Sequence, residues 1–570
     1  MHTVKIYLRS FIAFLCLLAM AALVSGCRLP GLPEQTTAAT TQLPTTVVTE
    51  PPHNWVSGYL AGAGEKIAFY GENGQAWGSL PRGTQVEYEL TEAGVTSLLV
   101  EESIVYLQEG DHVVSEPGDV VPEHTLYVRT AVNLRDIDGR LLETFAQKGT
   151  AVDITGCDYT DAEGKVHMYR VSLEGVEGYI MPWYLTATQD EALANYDNGH
   201  YATHADRGNR YGGGGAADLD YFPREKGPIE GNPMPTETRA LYIGPGYIGN
   251  ADAYLAVAEG SGINAFVVDI TDGGAVAYAG DVMHAYSPSA AAAAINTMEL
   301  YKANVQKLKD AGYYVIGRIT TFNDTHFIKD HPEYAITDTA GNPLKLSGEY
   351  WPTPYNRVSW QYKVDMAVEA VEQIGFHEIQ FDYVRFPDRT GKYEDAGTID
   401  FHNLYGESKA QAIQRFLMYA TDILHERGAY VSADVYGESA FTYVTAYGQY
   451  WPAISNVVDA ISGMPYPDHF SASGSYRPWE HPYETLNNWG KSVVTRQAET
   501  ATPAAVRTWI QAYNAIKEPY NTYGPDEVAA QIRGLRDAGC TGGYMTWNSA
   551  CSLEKYAYLT PAFAPPEEGA

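Results

Sequence analysis

Between residues 237 and 560 the chain repeats one pattern of apolar and polar positions. A helical stripe ends at a glycine, and a short apolar strand follows. The stripes with their closing glycines are 252–259 with Gly262, 298–311 with Gly312, 360–374 with Gly375, 408–427 with Gly428 and 527–538 with Gly539. Glycine just past the last helical turn is typical of a left-handed cap. Continuous apolar strands indicate burial on both faces, as in parallel sheets.

Eight strands are predicted in this region, at 239–243, 264–270, 313–319, 378–384, 429–435, 457–464, 506–511 and 542–547. Eight strands with helices between them over about 320 residues are typical of a (β/α)8 barrel, that is, a TIM barrel of the α/β class. A doubly wound open sheet is the alternative, but no glycine-rich phosphate-binding fingerprint follows the first strand. We therefore expect a barrel domain over residues 237–560, with its chemistry at the C-terminal ends of the strands.

Residues 55–187 have a different pattern, in which β-branched and aromatic runs of period two alternate with glycine turns, so this part is predicted to be all-β. A weak internal repeat relates 74–90 to 139–154 and divides the region into modules at 55–120 and 121–187. The segments VNLR at 132–135 and GYIMPWYL at 178–185 resemble the opening and the close of bacterial SH3-like modules. That resemblance implies peptidoglycan as a partner, and a spacer barrel without a ligand is the alternative.

The N-terminus is predicted to be an export signal. Lys5 and Arg9 precede an apolar run at 11–24, which is shorter than the roughly 20 residues that span a membrane. Leu23-Val24-Ser25-Gly26-Cys27 resembles the lipobox of bacterial lipoproteins. The resemblance implies a signal peptide at 1–26, lipidation of Cys27 and a lipid-anchored, extracytoplasmic protein; a secretory signal with an incidental cysteine is the alternative. Residues 27–54 are predicted to be a Thr/Pro-rich tether, and residues 188–236 are predicted to be an irregular linker.

Charge and cysteine content narrow the function classes. The chain has 70 acidic against 38 basic residues, a formal net charge of -32, so we expect no nucleic-acid partner. Beyond the signal and lipobox, Cys157, Cys540 and Cys551 remain, and a bridge between the last two is left open. No CxxC or histidine-rich cluster has zinc-ligand spacing, so we expect neither a metal nor a cofactor.

Asp382 and Asp434 each interrupt an apolar strand, the fourth and the fifth, where an unpaired charge is costly. Two carboxylates on either side of a glycosidic bond are the usual machinery of sugar hydrolysis, one attacking or positioning water and the other, with a raised pKa, protonating the leaving oxygen. Arg318 or Arg385 would keep one of them ionised. The alternative is a structural Asp–Arg pair that closes the barrel mouth.

The barrel region resembles a bacterial family of inferred glycoside hydrolases, which are related by fold to the α-amylase-like barrels. The matching segments are IQFDYVRFPD at 379–388, VSADVYG at 431–437, HPEYA at 331–335, SGMPYPDHF at 462–470 and MTWNSA at 545–550. The resemblance covers residues 239–549. It implies a carbohydrate substrate, Asp382 as nucleophile and Asp434 as acid/base, although the amylase relatives usually carry Glu at the second position.

Polar and aromatic residues at the other strand ends are candidates for substrate binding. They are Asp269, Asp272, Arg318, Tyr383, Arg385, Tyr466, His469, Gln511, Trp547 and Asn548. Ordinary strand-end, capping and packing roles are the alternative for these residues. The sequence therefore predicts either an anchored glycoside hydrolase or a carbohydrate-binding surface protein without turnover, and it leaves the sugar, the anomer and the stereochemical outcome open.

Overall fold

A computed structural model describes residues 53–90, 96–121, 124–158, 166–194, 200–201, 204 and 213–563. The predicted signal peptide, Cys27 and nearly all of the predicted tether lie outside these residues. Of the helices within the described ranges, none combines the length and the hydrophobicity of a membrane-spanning segment.

The region 55–187 contains two antiparallel sheets of seven strands each, so its predicted all-β character is confirmed. The strands of the first β module are Val56–Ala61, Lys66–Tyr70, Ala76–Pro81, Gln85–Leu90, Thr96–Val100, Ser103–Leu107 and His112–Val114. Those of the second β module are Thr125–Val128, Val132–Arg135, Leu141–Ala146, Ala151–Cys157, Tyr169–Leu173, Val176–Ile180 and Leu185–Thr186. Both sheets have the strand order 3-2-6-5-4-1-7. The weak sequence repeat therefore corresponds to one topology used twice.

Parallel strands form the barrel, and neighbours in sequence are neighbours in the sheet. They are Thr238–Ile243, Ala265–Asp272, Tyr314–Thr320, Glu378–Asp382, Tyr430–Tyr436, Ala460–Met464, Ala505–Val506 continued by Thr508–Gln511, and Gly543–Trp547. The two pieces of the seventh strand flank Arg507; the first pairs with strand six and the second with strand eight. Arg507 is fully buried and its guanidinium pairs with Glu378 at 2.6 Å.

The helices of the barrel are Ala251–Ala258, Asp281–Tyr286, Pro288–Ala291, Met298–Asp310, Thr325–Asp330, Arg357–Glu369 with the π-helical turn Ala370–Ile374, Gly391–Ala396, Lys409–Glu426, Trp451–Ser455, Pro482–Ala498, Pro525–Ala538 and Leu553–Phe563. The five predicted helices are present. The long helix Pro482–Ala498 was not predicted, and its internal Gly490 has a packing reason: a Cβ there would lie 2.7 Å from the Cβ of Ala538. Cys157, Cys540 and Cys551 are buried free thiols, so the bridge left open above is not formed.

The second β module is joined to the barrel through Asp422 on helix Lys409–Glu426. This buried carboxylate accepts hydrogen bonds from Arg135 at 2.6 Å, from Arg224 of the linker at 2.6 Å and from Tyr184 at 2.8 Å. The apolar side chains of the second module belong to the same hydrophobic core as those of the barrel, whereas the first module has a core of its own. The second module and the barrel are therefore one packed body.

Candidate active site

Arg318, on the third barrel strand, is surrounded by four carboxylates at the barrel mouth, the end where the strands have their C-termini. Its Nη1 lies 2.7 Å from Asp269 Oδ1 and 3.5 Å from Asp272 Oδ1. Its Nη2 pairs with Asp382 Oδ2, and its Nε lies 3.5 Å from Asp434 Oδ2. The acids come from strands two, four and five, whose parallel course brings them to the same end. Asp382 and Asp434 thus converge on one guanidinium inside the barrel.

Asp434 is more enclosed than Asp382. Its side chain has 0% exposure, against 8% for that of Asp382. Trp509 Nε1 donates a 2.8 Å hydrogen bond to Asp434 Oδ1. Burial, followed by the charge of Asp382, holds the pKa of Asp434 well above its ordinary value. The surroundings of Asp434 therefore favour its protonated form.

Asp269 and Asp272, both on the second strand, have different surroundings. Asp269 is fully buried and accepts a hydrogen bond from the Tyr242 hydroxyl. Burial raises the pKa of Asp269 to about 7, against the opposing effect of Arg318. The side chain of Asp272, in contrast, is 36% exposed. Asp272 is therefore the carboxylate of the cluster that solvent reaches most easily.

The fourth strand ends at Asp382, two residues earlier than predicted, because Tyr383 adopts a left-handed backbone conformation with φ 50°. The Tyr383 N–H donates a 2.5 Å hydrogen bond to Asp382 Oδ1. Arg385, beyond this turn, donates from Nη2 to the Tyr436 hydroxyl at 2.7 Å, and its Cζ lies 4.5 Å from the Tyr436 ring centre. Of the two arginines that the sequence offers as partners for the acids, Arg318 fills that role.

The candidates on the loop after strand six and on strand seven are mostly buried. Tyr466 is buried, and burial raises its pKa. Gln511 is buried and its Oε1 accepts from the backbone N–H of Asp468 at 3.2 Å. Asp468 in turn accepts a 2.9 Å hydrogen bond from the Tyr513 hydroxyl. Only His469 is exposed in this group, so Gln511 and Asp468 support the loop that presents His469.

Strand eight contributes Trp547, whose ring centre lies 5.5 Å from Arg318 Cζ. Asn548 follows it, and its Nδ2 is buried without a hydrogen-bond partner among the described residues. Tyr242 and Trp509, which donate to the acids, were missed by the sequence analysis. The available signal was the alternation of side chains along a strand, by which every second residue of a barrel strand faces the interior.

Residues 240–553, more than half of the chain, match the family described as "Putative glycosyl hydrolase domain". The chain belongs to this family. The glycosyl hydrolase domain therefore coincides with the parallel barrel and contains all four acids around Arg318. No curated protein is significantly similar to the chain.

Solved structures similar to the chain include a hypothetical protein from Ruminiclostridium thermocellum, with 32% identity, 34% of this chain and 97% of that chain covered, and a TM-score of 0.29. Another is the glycoside hydrolase domain of PgaB (BpsB) from Bordetella bronchiseptica, with 14% identity, coverage of 57% and 99%, and a TM-score of 0.41. A class V chitinase from Pseudomonas fluorescens has 11% identity, coverage of 57% and 100%, and a TM-score of 0.37. With TM-scores below 0.5, these likenesses decide neither substrate nor mechanism.

Within the glycosyl hydrolase domain, the Arg318 guanidinium lies where the four carboxylates meet, so it supplies the positive charge that they require.

Away from the mouth, and within the described ranges, three potential metal-ligand atoms lie within 4.8 Å of one another; they belong to His200, His204 and Glu499. Arg496 Nη2 already pairs with Glu499 Oε1 at 2.7 Å. A cation therefore neutralises the one carboxylate of that group, and we assign no metal to it.

Proposed function

We propose that the protein is a lipid-anchored, extracytoplasmic glycoside hydrolase that cleaves the glycosidic bonds of a poly- or oligosaccharide with Asp382 and Asp434. One observation supports the chemistry above all. Two carboxylates on adjacent strands flank the Arg318 guanidinium, and burial raises the pKa of one of them, Asp434. A carboxylate beside a carboxylic acid is the pairing that glycoside hydrolysis requires.

In this mechanism Asp382 acts as the ionised group. Its Oδ2 pairs with Arg318 and its Oδ1 accepts from the Tyr383 N–H, so both oxygens have fixed directions. Asp382 attacks the anomeric carbon or positions the water that does so, and Asp434 gives its proton to the leaving oxygen. Because Asp434 is covered, the substrate must enter deeply enough to contact it. Asp272, at the exposed side of Arg318, is the acid that would replace Asp434 if that entry does not occur.

Single substitutions test these roles. Asp382→Asn and Asp434→Asn are each expected to lower hydrolysis of a polysaccharide panel and of chromogenic glycosides by about 10²–10⁴-fold, since each removes an acid or base from the reaction. Asp252→Asn, an exposed partner of Lys307 on the outside of the barrel, is the matched control. Circular dichroism verifies that each variant folds. If Asp434→Asn keeps full activity while Asp272→Asn loses it, the general acid is Asp272 and not Asp434.

The complete burial of Asp434 favours one second candidate, a surface protein that binds carbohydrate without cleaving it. In that case the four acids and Arg318 form a structural cluster that closes the barrel. Sugar binding by the wild type, unchanged in Asp382→Asn and accompanied by no release of reducing ends, would support this candidate over the hydrolase.

The lipid anchor rests on Leu23-Val24-Ser25-Gly26-Cys27. Several acyl chains on one cysteine give stable membrane attachment, whereas one chain is marginal. Cells that produce the full chain should incorporate labelled palmitate into it and retain it in the membrane fraction. Cys27→Ser is expected to abolish both. Incorporation that persists in Cys27→Ser would refute the anchor and leave the hydrolase proposal untouched.

We also include the cell wall as a partner, through the β modules that resemble SH3-like modules. Because the second module is packed on the barrel, the first module, with its separate core, is the part available for such a contact. Co-sedimentation of the full chain with purified peptidoglycan tests it, with a chain lacking residues 55–120 as comparison. Equal sedimentation of both chains would rule the first module out.

A further inference from the structure

Beside the barrel mouth lies an open hollow of about 650 Å³, a size typical of ligand sites. Its wall includes Tyr436, Met464 and His469, at or just beyond the ends of strands five and six. A second hollow of about 610 Å³ adjoins it, since Asp388, Arg389, Glu438 and Tyr443 line both. We call this pair of connected hollows the Tyr443 groove.

The Tyr443 groove begins at the candidate active site. Tyr436 stands two positions after Asp434 on the fifth strand and lines the groove. The hydrogen bond from Arg385 fixes the Tyr436 hydroxyl at 2.7 Å. A glycan bound at Asp382 would therefore pass Tyr436 as it leaves the barrel mouth, and would enter the groove directly.

Two aromatic rings line the groove away from the mouth. Phe441 is 40% exposed, and its ring centre lies 6.0 Å from that of Tyr443. The Tyr443 hydroxyl donates to Glu438 Oε1 at 2.8 Å, while Tyr447 donates to Glu438 Oε2 at 2.8 Å. Tyr443 is thus anchored before any ligand arrives. The planes of the two rings are inclined by 44°, so each ring offers its own face, on which the C–H face of a sugar ring can pack while the sugar hydroxyls stay hydrated.

The rim common to both hollows carries Arg389, whose backbone is left-handed with φ 61° and whose side chain is 87% exposed. A non-glycine residue held in this conformation is strained, and such strain is found most often at functional sites. Its Nε lies 3.4 Å from Asp388 Oδ2, which leaves further guanidinium N–H groups directed to solvent. In a protein of net charge -32, these donors suit the hydroxyl and carboxyl oxygens of a glycan.

We propose that the Tyr443 groove binds the part of a glycan chain that extends beyond the bond to be cleaved, with Phe441 and Tyr443 as stacking platforms and Arg389 as a hydrogen-bond donor. The substrate is then a polysaccharide or a long oligosaccharide rather than a disaccharide. This inference rests on the proposed function for the cleavage step, whereas the binding itself does not depend on turnover.

Binding is tested in the full chain carrying Asp382→Asn, by electrophoresis through gels that contain hydroxyethyl cellulose, amylopectin, glycol chitin or polygalacturonate. Retardation in at least one gel is expected. Adding Phe441→Ala or Tyr443→Ala should weaken the apparent affinity about tenfold, the effect of losing one aromatic platform. Tyr443→Phe, which keeps the ring, should restore most of it. Tyr520→Ala, an exposed ring outside the groove, is the matched control and should leave retardation unchanged.

Kinetics separate this inference from the proposed function. In the active protein, Phe441→Ala and Tyr443→Ala should lower the ratio of kcat/KM on the polymer to kcat/KM on a chromogenic monoglycoside about tenfold. An unchanged ratio and unchanged retardation would overturn the groove while leaving the hydrolase intact. If Phe441→Ala abolishes retardation but the wild-type protein releases no sugar, glycan binding by the groove is supported and the hydrolase proposal is refuted. If no gel retards the Asp382→Asn protein, the proposal that the groove binds a glycan is wrong.

Discussion

Asp422 is the side chain on which the junction between the second β module and the barrel depends. Its two oxygens accept from Arg135, Arg224 and Tyr184, and its side chain is 2% exposed. Asp422→Ala removes the carboxylate that pairs with both Arg135 and Arg224, whose side chains are 3% and 10% exposed. We expect this substitution to destabilise the packed body of module and barrel more than any surface change.

The magnitude follows from the burial of the charges. Removing one partner of a buried ion pair costs about 3–5 kcal/mol, because the remaining charge stays desolvated. Natural proteins are stable by about 5–15 kcal/mol, so the loss is a large share of the total. The pair Arg140–Asp365, also between module and barrel, gives the contrast. Its atoms are 3.7 Å apart and Arg140 is exposed, so Arg140→Ala should cost less than about 1 kcal/mol.

Urea unfolding followed by tryptophan fluorescence and by circular dichroism measures the effect, with Arg140→Ala as control. A triple variant, Arg135→Met with Arg224→Met and Asp422→Leu, removes all three charges and should recover at least half of the loss, since apolar replacements relieve the desolvation. If Asp422→Ala shifts the unfolding midpoint no further than Arg140→Ala does, the interpretation of Asp422 as the junction is wrong.

Two further predictions concern pH. The folded-state pKa of Asp269, about 7, lies above the unfolded value. Its contribution to stability is therefore complete below about pH 4 and is lost as pH rises through 7. The deficit of Asp269→Asn relative to wild type should shrink by about 2.5 kcal/mol between pH 5 and pH 8 in urea titrations. A deficit that is constant with pH would contradict this. Hydrogen bonds to Asp158 and Glu426 raise the pKa of His167 to about 9, so its contribution is complete below about pH 6.5 and lost as pH rises through 9. His167→Gln should therefore reduce the fall in stability between pH 6 and pH 9.5 by about 2 kcal/mol, and an identical fall in both proteins would refute it.

The barrel could be predicted because its local patterns agree with its tertiary structure. Helices ending at Gly312, Gly375 and Gly539 have those glycines at positive φ, as the caps require. The helix Pro482–Ala498 could not be found in the same way, since Gly490 lowers helix propensity and its benefit is a close contact with Ala538 that no local pattern reveals.

The site was predictable in its acids and less so in its surroundings. Asp382 and Asp434 stand out because a charge in an apolar strand needs a partner. Which arginine provides it depends on the left-handed turn at Tyr383, which turns Arg385 away from the acids towards Tyr436. Likewise, the depth of Asp434 depends on Trp509 reaching it from strand seven, a contact between distant parts of the sequence.

The two β modules have the same strand order, and the second is tied to the barrel by buried polar contacts at Asn133 and Arg135. In the copy next to the barrel, the segment around Asn133 and Arg135 is committed to Arg357 and Asp422. A surface so occupied is closed to an external ligand. The second module therefore serves as structural support for the barrel, and a recognition role is left to the first module, which has a separate core.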